Sequence, residues 1–203
     1  MSTESSRISY FVLALAEVLD GSQPALAQRV KERLESFVCA RSPHLEKFAR
    51  TEVHKYERHG HSKTYVFLTS SGESDIDVPA FFTVGMTSLD LSATSASKRK
   101  KFSGDVSLSV TGAYSIAELA RSDAYTSAQL PGEVILGEAN VVIRQAREYV
   151  AGRFLVVDAQ RVVYERLYAP AGFSEIATAR PPGDMAGADF VTACSKISGW
   201  APA

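Results

Sequence analysis

Residues 153–173 read RFLVVDAQRVVYERLYAPAGF. The run Arg153–Ala159 is apolar with little alternation, the pattern of a strand buried on both faces. Arg161–Tyr168 returns to helical spacing, and Pro170 and Gly172 then stop it. Just upstream, Ile135, Ala139, Val142, Ala146 and Tyr149 form a helical stripe with Gly152 as its stop. Downstream, Ser174–Thr178 and Phe190–Cys194 are the remaining strand candidates. Strand–helix–strand–helix–strand of this kind is the signature of a mixed α/β domain.

Further toward the N-terminus the period changes. Thr64–Thr69 and Val78–Val84 are rich in β-branched and aromatic residues, and Ser70-Ser71-Gly72 between them reads as the turn of a hairpin. Val106–Leu119 is either a strand pair or one strand with a bulge near Gly112. Asp90–Gly104 is polar, carries Lys98-Arg99-Lys100-Lys101, and reads as a solvated connecting loop. Before the hairpin stand two helices. One follows Pro24 with Ala27, Val30, Leu34 and Phe37 on one face, and Ser42-Pro43 breaks it. The other carries Leu45, Phe48, Ala49, Val53 and Tyr56 and ends at His59-Gly60-His61. Residues 1–22 are expected as an appendage, with Ile8–Leu19 as an apolar helix ending at Asp20-Gly21-Ser22. Residues 23–203 form the main domain.

The chain has 203 residues, enough to bury roughly 70% of the unfolded surface without a disulfide or metal. Its 22 Lys and Arg against 23 Asp and Glu leave a net charge of −1, which excludes a whole-surface attraction to nucleic acid or anionic lipid. A local contact with tRNA remains open through the 98–101 run. Cys39 and Cys194 form no CxxC unit and are expected as free thiols in a cytoplasmic protein. Ile8–Leu19 is too short to span a bilayer. His54, His59 and His61 match no metal-ligand spacing, so no metal is expected. There is no G-x-S-x-G elbow, HExxH or GxxxxGK[ST].

Leu167-Tyr168-Ala169-Pro170-Ala171-Gly172-Phe173 resembles the [FL]-Y-x-x-x-G-F segment of the GNAT family of N-acetyltransferases, and the strand Phe154–Asp158 precedes it as in that family. Other stretches are similar to a bacterial and phage-type subgroup, in the same order. These are Phe37-Val38-Cys39 with Leu45-Glu46-Lys47-Phe48, then His61–Tyr65, Ala80–Val84 and Tyr114–Arg121. The resemblance covers roughly residues 34–178. It implies a mixed, mainly antiparallel twisted sheet flanked by helices, here with an extra N-terminal helix.

The resemblance also implies a site. Acetyl-CoA, or another acyl-CoA, is the expected co-substrate, and its pyrophosphate would lie on amides that open a helix. Two registers of the family's loop remain open. Gln129-Leu130-Pro131-Gly132-Glu133-Val134 supplies the Gln and first Gly but ends in Val. The alternative places Gly132 last, with Ser127 and Leu130 at the Gln/Arg and Gly positions. Gln129, Gly132, Glu133 and Val134 are the candidate pyrophosphate contacts, and the backbone of Leu119 and Ala120 the candidate pantetheine contacts. Tyr168 is the candidate acid for the leaving thiolate, since a phenol stays protonated at neutral pH. Glu118 shares a strand face with Tyr114 and Ile116 and is the candidate base for the amine.

The expected function is therefore acyl-CoA-dependent N-acylation of a small molecule, a protein amine or an aminoacyl-tRNA. The alternative is an interaction module on the same fold whose acyl-CoA site has decayed. An apolar helix within residues 1–22 would need a cover, which a partner protein or a second copy of the chain would provide.

Overall fold

The computed structural model describes residues 7–70, 76–103, 108–177 and 189–197. Its strands are β1 (Phe11–Ala14), β2 (Lys63–Ser70), β3 (Ile76–Asp90), β4 (Val110–Arg121), β5 (Phe154–Gln160), β6 (Ser174–Glu175) and β7 (Phe190–Lys196). They form a seven-stranded sheet in the order β1-β2-β3-β4-β5-β7-β6. The β1–β2, β2–β3, β5–β7 and β6–β7 ladders are antiparallel, and β4–β5 is parallel. The helices are α1 (Leu15–Asp20), α2 (Pro24–Glu35), α3 (Pro43–Lys47), α4 (Val53–Arg58), α5 (Ala96–Ser103), α6 (Gly132–Ala146) and α7 (Arg161–Val163). Wider π-helical turns follow α3 at Phe48–Glu52 and α7 at Tyr164–Tyr168. This is the mixed, mainly antiparallel α/β class that the resemblance implied.

The chain forms two compact units, residues 1–85 with 118–139 and residues 86–117 with 140–203. The first holds residues 7–22 among its described residues. Ile8–Leu19 is not one helix. Phe11–Ala14 pairs with Tyr65–Leu68 as the edge strand β1, and only Leu15–Asp20 is helical. Leu15 and Val18 are buried in the core with Val30, Leu34, Phe48, Val53, Val66 and Phe81. Leu15 and Val18 are thus covered by their own chain, while Phe11 on β1 stays exposed.

In this unit β2 presents its side chains to both faces, with a register shift between Phe67 and Thr69. Val66 and Leu68 face the helices, while Tyr65 and Phe67 face the other way, where Tyr65 stacks on Phe82 at 5.2 Å and Phe67 meets Tyr10 at 4.9 Å. Tyr10 donates to Glu138 Oε1 of α6 at 3.0 Å, and burial together with that bond pushes its phenol up to about 12. At the other end of β2 the buried Glu57 accepts from Lys63 Nζ at 2.9 Å and from the Thr64 amide at 2.6 Å. That carboxylate fastens the end of α4 to the first residues of the strand.

The second unit is built on Leu89, Leu91, Phe102, Ala113, Phe154, Val156, Ile176 and Cys194. Asp90–Gly104 is not all loop, for Ala96–Ser103 is the helix α5, anchored through buried Phe102. Val110–Arg121 is a single strand. The Ser71-Gly72 turn and Thr178 lie outside the described residues. Both cysteines are free and buried, and burial pushes the Cys194 thiol up to about 11.

Gly152 lies beyond the end of α6, and its constraint is steric. A Cβ there would stand 2.3 Å from the Tyr114 ring, whose hydroxyl donates to Val150 O at 2.6 Å. Gly152→Ala is therefore expected to cost about 1–3 kcal/mol by overpacking. Urea denaturation measures it, and a loss below about 0.5 kcal/mol, the scale of an unconstrained surface change, would show that the ring moves aside freely.

Candidate active site

The first unit carries Glu118, Leu119, Ala120 and the 129–134 loop. Glu118 lies on β4 with its side chain only 13% exposed. Its amide donates to Thr83 Oγ1 at 2.9 Å, and the Ser122 amide donates to Pro79 O at 2.9 Å. Both amides therefore turn toward β3. Backbone N–H groups alternate along a strand, so Ala120 shares that side and Leu119 faces the opposite edge. Of the two amides expected to meet pantetheine, that of Leu119 turns away from β3 and that of Ala120 toward it. The ladder between β4 and β5 consists of Tyr114↔Leu155 and Ser115↔Val156 and ends there.

The carboxylate of Glu118 meets a residue that no sequence motif singled out. His44, on α3 and 54% exposed, places Nε2 2.8 Å from Glu118 Oε1. Burial pushes the Glu118 carboxyl above its ordinary value, and the hydrogen bond and charge of His44 draw it part of the way back. The pair joins a sheltered acid–base group to an exposed imidazole.

After β4 the chain turns through residues 122–131 into α6. Gln129 is used locally. Its Oε1 accepts from the Thr126 amide at 2.9 Å and its carbonyl accepts from the Ile8 amide at 3.2 Å. Arg121 Nη1 donates to Leu130 O at 2.8 Å, while the buried Arg121 Nε has no partner among the described residues. The Pro131 carbonyl accepts from Val134 at 3.1 Å and Ile135 at 3.4 Å. Gly132 and Glu133 are the first residues of α6, and their amides precede any intrahelical acceptor. Two free donors at the start of a 15-residue helix, with a guanidinium holding the loop, suit an anion. Val134 is already tied back, and Gln129 is turned inward. Both facts favour the register in which Gly132 comes last.

Tyr168 belongs to the second unit. It ends the π-helical turn after α7, is buried, and packs edge-on against Phe173 at 5.3 Å. The Phe173 amide donates to Tyr168 O at 3.0 Å, and Gly172, at φ +88°, makes the turn that brings Phe173 back. Wide π turns of this sort occur frequently at functional sites. Arg161 is held by Asp189, at 3.0 Å, and by Glu175. Among the described residues no three His, Cys, Asp or Glu side chains gather as a metal site.

No protein-family model matches the chain, and no curated protein matches it. Solved structures do. A Tyr-to-Phe mutant of KacT superposes with a TM-score of 0.67 at 13% identity, covering 93% of this chain and 95% of that one. AtaT complexed with acetyl-methionyl-tRNAfMet gives 0.65 at 17%, covering 91% and 94%. AtaTR bound with AcCoA gives 0.62 at 17%, covering 90% and 92%. The chain has the fold of these proteins.

The raised Glu118 carboxyl has a consequence for stability. A carboxyl that binds its proton more tightly when folded stabilises the fold below its ordinary pKa, and that contribution is lost as pH rises through the raised value. Glu118→Gln keeps the shape without the charge. It is expected to melt at or above the parent at about pH 8, with a shallower decline in Tm from about pH 5. Melting several degrees below the parent at the higher pH would mean that the His44 pair outweighs the burial penalty.

Proposed function

We propose that the protein is an acyl-CoA-dependent N-acyltransferase that moves an acetyl group from acetyl-CoA to an amine. The observation that carries this reading is the start of α6. Free amides at Gly132 and Glu133 follow directly from the β4 strand that holds Glu118 and Leu119. In this reading the pyrophosphate sits on those amides, and Arg121 offsets the negative charge of Glu133. The outward amide of Leu119 pairs with pantetheine and polarises the thioester carbonyl. Glu118 takes a proton from the amine, the nitrogen attacks the carbonyl carbon, and the C–N bond forms as the C–S bond breaks. Tyr168 donates the phenolic proton to the departing thiolate, giving CoA-SH.

The acceptor we propose is the α-amine of an aminoacyl-tRNA. The neighbour AtaT was solved with acetyl-methionyl-tRNAfMet. On α5, Lys98, Lys100 and Lys101 are exposed, and Lys98 Nζ donates to Glu175 O at 2.6 Å. Such a face suits a phosphate backbone. Another neighbour, AtaT bound to the C-terminus of the antitoxin AtaR, supports a protein partner for this chain as well.

A thermal-shift titration with acetyl-CoA tests the co-substrate. Ligand at about 100 times Kd adds roughly 2.7 kcal/mol, a rise of about 5–10 °C for a domain of this size. Gly132→Val should abolish most of that rise while leaving the unliganded Tm close to the parent's. No rise at millimolar acetyl-CoA would favour the interaction-module reading, to which Pro131 and Glu133 at the loop already point.

Turnover tests the acid. With methionyl-tRNAfMet as the first acceptor tried, Tyr168→Phe should lower kcat by about tenfold or more and leave acetyl-CoA affinity nearly unchanged. Parent-like turnover would retire Tyr168 from the chemistry.

A further inference from the structure

The polar groups around Glu118 are few. Its amide is taken by Thr83 Oγ1, a neutral hydroxyl on β3, and its carboxylate by His44 on α3. Among the described residues His44 is the charged or titratable group that acts on the carboxyl. A base buried in this way faces a difficulty that its own position creates, since shelter makes the carboxylate basic but also favours its neutral form, which takes no proton. Among the described residues His44 meets that carboxylate, with Nε2 2.8 Å from Glu118 Oε1 and about half of its side chain exposed.

We propose that His44 is a positioning residue for the base, its imidazole holding the Glu118 carboxylate in the charged form that can take the amine's proton. The proposal rests on the reading of Glu118 as the base. With Oε1 accepting from His44 Nε2, the amine's proton passes to Glu118 Oε2, and the carboxyl gives it up to solvent once the product has left. His44 touches no substrate and is a positioning residue. Its partner lies 74 positions away in sequence, so only the packing of α3 beside β4 brings the two together.

The test reads the carboxyl directly. In protein carrying side-chain ¹³C-labelled glutamate, the Glu118 signal is assigned by its loss in Glu118→Gln and titrated between about pH 4 and 9. In His44→Ala the Glu118 midpoint should rise by about half to one pH unit, because only burial then acts on it. His44→Gln retains a donor without a titrating ring and should fall between the two. His44 is exposed and on a short helix, so both variants should melt within about 2 °C of the parent. An unchanged midpoint in His44→Ala overturns the pairing outright.

Turnover separates this proposal from the reading beneath it. If Glu118→Gln acylates as fast as the parent, Glu118 is not the base and the proposal falls with that assignment. If Glu118→Gln is slow, His44→Ala should shift the acidic limb of the kcat/KM profile to higher pH, and added imidazole should restore part of kcat. A slow Glu118→Gln together with a His44→Ala profile that superimposes on the parent's overturns the proposal and leaves the base assignment standing.

Discussion

A buried backbone amide must find an acceptor, and at Glu118 it finds a side-chain hydroxyl. Thr83 is fully buried, so leaving that N–H unmet would cost about 1–3 kcal/mol. The bond fixes more than an energy. It sets which way the amides of β4 turn, sends that of Leu119 to the opposite edge, and holds the Glu118 side chain where α3 can reach it. The parallel ladder to β5 has already ended at Ser115. Residues 116–121 are thus governed by β3 and by the loop that follows them. Replacing Thr83 with Val, nearly the same shape, would remove the acceptor and leave the packing.

The elements that sequence made legible were those whose local pattern and tertiary setting agree. Thr64–Thr69, Val78–Val84 and Arg153–Ala159 are strands because β-branched and aromatic side chains suit a pleated, buried surface, and nothing in the fold opposes them. Ile8–Leu19 reads as a helix because its twelve mostly apolar residues carry no clear period. Its first half became a strand because Tyr65–Leu68 offered a free edge, a partner more than fifty positions away. The helix α5 fails in the opposite sense. Its one buried anchor, Phe102, leaves no stripe to recognise, and four basic residues in a row resemble a solvated loop.

The site divides along the same line. Glu118, Leu119 and Tyr168 could be named because each lies in a motif or at a strand period. His44, Thr83 and Arg121 could not, since each acquires its meaning from a contact that only the folded chain creates. Gly152 marks the boundary between the two cases. Its position after a helical stripe invited attention as a stop, yet what excludes a side chain is the Tyr114 ring, which sequence could not place there.

Two sheltered carboxylates in the first unit show how environment separates structure from chemistry. Glu57 is 6% exposed and receives both a lysine ammonium and a backbone amide, the second at 2.6 Å. Its charge is balanced and its oxygens are engaged, so it acts as a clasp between α4 and β2. Glu118 is nearly as sheltered but meets one half-exposed imidazole, which does not offset the whole burial penalty. A carboxylate that the fold leaves underpaid in this way gains by accepting a proton. That property suits the role of base proposed for Glu118.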